Sequence, residues 1–277
     1  MIRQLLKWTI GALSLLALLL LGPLAVIAVG EVDLDGHWST ASRESTHQAP
    51  DPRVEHQAVI HVYGARAFKW RGAFGIHTWI ATKRRGADQY TVHQVLGWRA
   101  YRGGRAVSSF PTASPDFRWF NAFPELLAER RGPGVDALID RIEAAVARYP
   151  YSRQYRVWPG PNSNTFTAYI AREVPELVLD LPPNALGKDF LPSGSLLARA
   201  PSGTGYQLSV LGLLGLTLAW EEGIELNFLG LSAGLDLNDL GLRLPGIGRL
   251  PLLDRAPRPQ PTRPAVIPAA WPAATAR

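Results

Sequence analysis

The chain has 277 residues, 47% of them apolar, and a formal net charge of +6, enough for a membrane anchor plus one domain with a substantial core. It contains no cysteine. That excludes disulfides, thiolate catalysis and cysteine metal sites together, and it fits an oxidising compartment.

Arg3 and Lys7 precede an uncharged run from Trp8 to Val29, roughly 33 Å long as a helix and sufficient to cross a bilayer core. Residues 1–30 are therefore predicted to form a transmembrane anchor, kinked at Pro23. A secretory signal peptide also begins basic and then turns apolar, and Ala28-Val29-Gly30 is a passable cleavage site. The apolar run exceeds a usual signal core, which favours the anchor. Glu31, Asp33 and Asp35 follow the span, so the positive-inside rule keeps the N-terminus cytoplasmic and exports the rest. In a bacterium that is a domain tethered to the inner membrane and facing the periplasm.

Residues 31–55 are polar and aperiodic and read as a juxtamembrane linker. The predicted core domain covers residues 56–180. Strands are expected over His56 to Tyr63, Gly72 to Thr82 and Gln89 to Trp98. Arg84-Arg85-Gly86 suits a three-residue hairpin loop, which pairs Lys83 with Ala87 and sets His77 opposite His93. A two-residue loop instead pairs His77 with Gln94 and turns His93 away. Ser114-Pro115-Asp116 reads as a cap with proline at the first helical position, opening a short aromatic helix through Phe117, Phe120 and Leu127. Val135, Leu138, Ile139, Ile142 and Val146 predict a second helix ending near Tyr149-Pro150. A third opens at Asn162-Ser163-Asn164-Thr165, after the loop Trp158-Pro159-Gly160-Pro161, and stops before Pro175.

Residues 181–250 are predicted as a Leu/Gly-rich β extension. Alternation at Ile224, Leu226 and Phe228, and again at Leu235 and Leu237, favours antiparallel strands packed on the domain. A membrane-inserted hairpin is the alternative, although Tyr206 to Trp220 is short for a span. Pro, Ala and Arg dominate residues 251–277, the composition of a disordered tail. The expected fold class is α+β.

Candidate chemistry converges on Ser163. A hydroxyl at a helix start meets unpaired N–H groups and the positive end of the helix dipole, but it needs a base to become a nucleophile. His77 and His93 are the best-placed imidazoles. On local sequence alone, the plainer reading is that Asn162, Ser163, Asn164 and Thr165 cap the helix. His56 and His61 could be imagined beside His77 in a metal site, yet no carboxylate partner is evident, so no metal and no cofactor is assigned. Between Arg66 and Arg105 the basic residues meet only Asp88. They suit anionic lipid headgroups or form a solvated face; nucleic acid is implausible on the exported side.

His77-Thr78-Trp79-Ile80 on a strand, His93 on the next, and Asn162-Ser163-Asn164-Thr165-Phe166 at a helix start resemble the circularly permuted papain-like fold. The closest pattern is its lecithin–retinol acyltransferase-like branch, related to NlpC-type cell-wall peptidases. The resemblance covers roughly residues 56 to 175 and implies an antiparallel sheet packed on helices. It places His77 in the base position, His93 in the orienting position and Ser163 where relatives carry cysteine. Such a cysteine works as a thiolate–imidazolium pair; a serine cannot, and His77 would have to take its proton during attack. The exported region also resembles uncharacterised single-span proteobacterial membrane proteins, through Tyr149-Pro150-Tyr151, Trp158 to Phe166, Gly187-Lys188-Asp189 and Glu222-Gly223-Ile224-Glu225.

The resemblance and the anchor together imply an envelope protein whose papain-like domain binds a membrane lipid or a peptidoglycan-derived fragment with little or no catalysis. One alternative is a serine hydrolase or acyltransferase using Ser163, His77 and His93. Another is a structural membrane-surface protein.

Overall fold

The computed structural model describes residues 1–253; nearly all of the expected tail lies outside them. Helix α1 (Ile2–Ala28) is long and apolar enough to be a membrane anchor or a signal segment. Its first half is exposed. From Leu16 onward a stripe through Leu19, Leu20, Pro23 and Val26 turns toward the rest of the protein, the spacing of one helical face. Gly22 sits so close to the Pro245 carbonyl that a Cβ there would overlap it.

The first sheet has five antiparallel strands in the order β4-β3-β2-β1-β5. They are β1 (Val59–Arg66), β2 (Ile76–Lys83), β3 (Tyr90–Val95), β4 (Val107–Thr112) and β5 (Glu125–Arg131). Two short helices, α2 (Arg71–Phe74) and α3 (Gly97–Tyr101), flank β2 and β3. Because side chains alternate across a strand, Ile60, Val62 and Ile80 point one way. There they pack with α4 (Val135–Arg148) and α5 (Ser163–Glu173), whose buried stripe includes Ile139, Ile142, Phe166 and Ile170. Tyr63, Trp79, Ala81 and Val92 point the other way, under an irregular aromatic cover that includes Phe117 and Trp119.

Two expectations are corrected here. Neither hairpin loop forms between β2 and β3. Ile80 pairs with His93 and Thr82 with Thr91, leaving a longer loop. Partners outside the hairpin hold it: Arg84 reaches Asp140 and Glu143 of α4, each at 2.8 Å, and Gly86 N–H donates to His56 O. His93 therefore shares a face with Ile80, away from His77. The aromatic helix after Pro115 is also absent. Phe117 stacks on Trp79 at 4.9 Å, and the Asp116 carboxylate accepts from Ser45 Oγ (2.8 Å) and Gln48 N–H (2.6 Å). Covering the sheet and binding the linker hold this segment out of a helix, with a tight turn at Phe120-Asn121 closed by Trp119 and Ala122, and Leu127 belongs to β5.

The second sheet is a seven-stranded antiparallel meander in simple order: β6 (Leu197–Arg199), β7 (Gly205–Val210), β8 (Leu214–Ala219), β9 (Gly223–Phe228), β10 (Leu231–Leu235), β11 (Leu242–Leu244) and β12 (Gly248–Leu250). Its alternation is inverted. Gln207, Thr217, Glu225, Asn227 and Arg243 are buried, whereas Leu208, Leu218, Ile224 and Leu226 are exposed. The buried polar face meets Lys188 and Asp189: Lys188 pairs with Glu225, which also takes Arg243 Nε at 2.8 Å, and Arg243 reaches Asp180 at 2.9 Å. Buried charges need such partners, since desolvation otherwise outweighs their attraction.

Candidate functional site

The site is built where the loop of Trp158 to Pro161 enters α5. Asn162 is the N-cap: its Oδ1 accepts from Asn164 N–H (2.9 Å) and Thr165 N–H (3.1 Å), while Thr165 Oγ1 accepts from Asn162 N–H (3.1 Å). This capping box satisfies orphan donors of the first turn. The cap is also tied outward. Asn162 Nδ2 donates to Val157 O (3.0 Å) and Leu186 O (2.8 Å), and Thr165 Oγ1 donates to Gly187 O at 2.7 Å. Gly187 has φ +95°, and a Cβ there would overlap the Asn162 amide. Both the conformation and the close approach require glycine.

Thr78 locks this helix start to β2. Its hydroxyl donates to Asn164 Oδ1 (3.0 Å) and lies 2.9 Å from Thr167 Oγ1. The next residue along the strand, His77, therefore points to the opposite face. Its ring stacks on Trp119 with centroids 3.7 Å apart, and its Nε2 lies 2.9 Å from Gln94 Oε1. With Oε1 accepting, the proton sits on Nε2 and Nδ1 keeps its lone pair, without a partner among the described residues. Burial pushes the His77 pKa down to about 4, against the opposing Gln94 bond, so the ring is neutral at neutral pH.

Ser163 and His77 line one cavity of roughly 570 Å³ at the start of β2 and α5. Among the described residues, nothing hydrogen-bonds the Ser163 hydroxyl, and no hydrogen bond joins it to His77. Asn162 and Asn164 complete the polar end. Apart from Arg71, the remaining wall is mostly aromatic and aliphatic, including Phe68, Trp98, Trp119, Tyr155 and Trp158, and Leu16 of α1 contributes to it.

His93 lies elsewhere. Its Nδ1 is 2.8 Å from Ser109 Oγ and its Nε2 is 3.4 Å from Thr82 Oγ1, in a separate cavity edged by Arg99, Arg105 and Glu143. Burial lowers its pKa to about 4, with Glu143 opposing. Gln94, not His93, holds His77. A two-residue hairpin loop would set Gln94 opposite His77, but that register does not form; the two meet across a diagonal instead. Trp119 had no signal, because its segment read as a helix.

His61 has the carboxylate that sequence did not show: Nε2 lies 3.4 Å from Glu129 and Nδ1 3.0 Å from the Tyr63 hydroxyl. Among the described residues, no three acidic or histidine side chains stand together as a metal site. The basic run does not form one patch. Lys83 is buried and donates to Gln57 O at 2.9 Å, Arg84 is paired with α4, and Arg66 donates to Gly246 O at 3.0 Å.

Neither a curated protein nor a solved structure matches the chain. Residues 57–190, which hold β1 to α5, His77, Ser163 and the Lys188-Asp189 pair, match the family described as a protein of unknown function, DUF3750.

Proposed function

We propose that this protein is a membrane-anchored envelope protein whose core domain binds the acyl chain of a lipid in the cavity beside α1, with little or no catalysis. The observation that carries this is the composition of the wall: aromatic rings and Leu16 of α1 surround a small polar end. Pockets for ligands of this kind are apolar with a few placed polar groups. Because Leu16 lies within the apolar run of α1, a lipid reaches the cavity without leaving an apolar environment. The packing of Pro23 and Val26 of α1 supports a retained anchor, since a cleaved segment has no need of a fitted seat. The charge asymmetry about the span supports a periplasm-facing domain at the inner membrane of a bacterium. A peptidoglycan fragment, being strongly polar, fits this wall less well.

The papain-like resemblance is supported by the helix start at Asn162-Ser163 and by a strand carrying His77. Absence of a Ser163–His77 hydrogen bond, and the orientation of Thr78 rather than His77 toward α5, favour binding over turnover. A phospholipid with a photoactivatable acyl chain tests the reading. Crosslinks are expected at cavity residues, and Val157→Trp, which narrows the cavity, is expected to weaken them. Crosslinks confined to the exposed half of α1 and unchanged in the variant would overturn it.

One observation favours a second reading, a serine hydrolase or acyltransferase. The Ser163 hydroxyl and the His77 Nδ1, neither with a partner among the described residues, share the cavity, and the Ser163 N–H, which the Asn162 cap leaves open, supplies an oxyanion donor. In that mechanism Ser163 Oγ attacks an ester carbonyl as its proton passes to His77. A serine-reactive phosphonate is expected to label wild type and Ser163→Ala equally. Labelling that disappears in the variant would replace the binding reading with this one.

A further inference from the structure

We infer that the outer face of the second sheet is a membrane-embedded surface, facing the acyl chains of the same bilayer that α1 crosses. The inference rests on the reading of α1 as a retained anchor and is independent of what fills the cavity.

The register makes this face continuous. Tyr206 opposes Leu218, Leu218 opposes Ile224, Ile224 opposes Leu235, Leu235 opposes Leu242 and Leu242 opposes Leu250. This single cross-strand row runs over six strands, roughly 24 Å at about 4.8 Å per step. A parallel row follows Leu197, Leu208, Leu216 and Leu226. Side chains of these rows are largely exposed, as is Trp220 at the β8–β9 turn. The long row meets a charge only at Arg199, opposite Tyr206 on the edge strand β6. A soluble sheet that buries its polar face and displays its apolar one would aggregate. Apolar-out, polar-in alternation is the arrangement of strands that face lipid.

Position relative to α1 identifies the occupant. The helix meets the protein along one stripe from Leu16 to Val26, about 15 Å of its length. Gly22 and Pro23 abut the turn Pro245-Gly246 between β11 and β12, and Val29 ends the apolar run about 10 Å further on. If α1 spans the bilayer, this turn lies below the membrane surface, and the sheet extending from it meets hydrocarbon. Trp220 and Tyr206, at the far side of the face, suit the interface, where such rings concentrate.

The absence of native cysteine makes the test direct. Single-cysteine forms of the full chain, Leu218→Cys, Leu13→Cys and Arg85→Cys, are labelled with an environment-sensitive fluorophore in phospholipid vesicles. They are then quenched by nitroxides on acyl chains or by aqueous iodide. Leu218→Cys and Leu13→Cys are expected to give blue-shifted emission quenched by acyl nitroxides and shielded from iodide, with Arg85→Cys the reverse. Acyl quenching at position 13 but iodide quenching at 218 overturns the inference alone. Iodide quenching at both overturns the anchor and the inference with it. Shielding from both quenchers at 218 assigns the face to a protein partner, such as a second copy, and also overturns it.

Discussion

His77 and Gln94 meet diagonally across adjacent strands, with Nε2 2.9 Å from Oε1. This bond fixes the imidazole tautomer and occupies the position where a catalytic histidine would find a carboxylate or a second histidine. A neutral amide orients the ring without stabilising its protonated form as a charge would. Burial, opposed by that neutral bond, holds the His77 pKa near 4.

Replacing that amide by a carboxylate should reverse the balance. Gln94→Glu is expected to raise the His77 pKa by about one to three units, since a nearby opposite charge favours the imidazolium. Histidine ring-proton NMR across a pH series reads this directly. An unmoved titration would mean that burial alone controls the ring.

At the start of α5, two neighbours should behave very differently. Asn162→Ala removes the cap and the donor to the Val157 carbonyl, while Leu186 O keeps Asn164 Nδ2 at 2.9 Å; a loss of about 1 to 3 kcal/mol is expected. Ser163→Ala removes a hydroxyl without a described partner and is expected to change stability by less than about 0.5 kcal/mol. Urea unfolding in detergent micelles separates the two.

Gly187→Ala attacks the same cap from behind. A side chain at φ +95° that also overlaps the Asn162 amide should cost about 1 to 3 kcal/mol. Combined with Asn162→Ala, which removes the atoms it strikes, the penalty should fall well short of the sum. Additive losses in the double-mutant cycle would place the strain elsewhere.

Arg243 ties the second sheet to Asp180, with Glu225 as its other carboxylate partner. Arg243→Met leaves buried carboxylates under-compensated, and a loss of about 3 to 5 kcal/mol is expected. Thermal unfolding should fall, and limited proteolysis should open the chain between β6 and β7. Unchanged proteolysis would show that Lys188 and Arg249 suffice to dock the sheet.

Buried titrating groups set the pH dependence. His77 and His93 have folded pKa values near 4 against 6.5 unfolded. The unfolded chain therefore binds more protons in that window, and stability falls as pH drops from about 6.5 to about 4, by up to roughly 3 kcal/mol per ring. Glu222 acts in the opposite sense. Burial first, then Asp180, raises it to about 7 against the Ser202 hydrogen bonds, so its contribution is lost as pH climbs from about 4.5 through about 7. The two windows overlap, so Glu222 offsets about one of the two rings; melting temperature should rise from about pH 4 and level off near pH 7, and Glu222→Gln should steepen that rise.

The elements with strong local signals were legible from sequence. The apolar run of α1, the stripe from Val135 to Val146 and the cap at Asn162 each carry their own period or chemistry, and all three stand where expected. The β character of residues 206–244 was legible from its alternation. What alternation could not give was direction. A period of two says that one face is apolar, but not which face turns inward. Here the polar face is buried, because Lys188, Asp189 and Asp180 arrive from distant parts of the chain to pair with it.

His93 shows the other limit. Its face depends on how β2 and β3 register, and a shift of one residue moves every side chain across the sheet. That register is held by Arg84 reaching Asp140 and Glu143 of α4, a contact more than fifty residues away in the chain. The sequence by itself determined an apolar N-terminal helix, an α+β core and a serine at a capped helix start. Only the tertiary structure decided that Gln94 holds His77, that Ser163 and His77 share a cavity without bonding, and that Leu16 lines that cavity. These depend on pairings between residues far apart along the chain, and local periodicity carries no record of them.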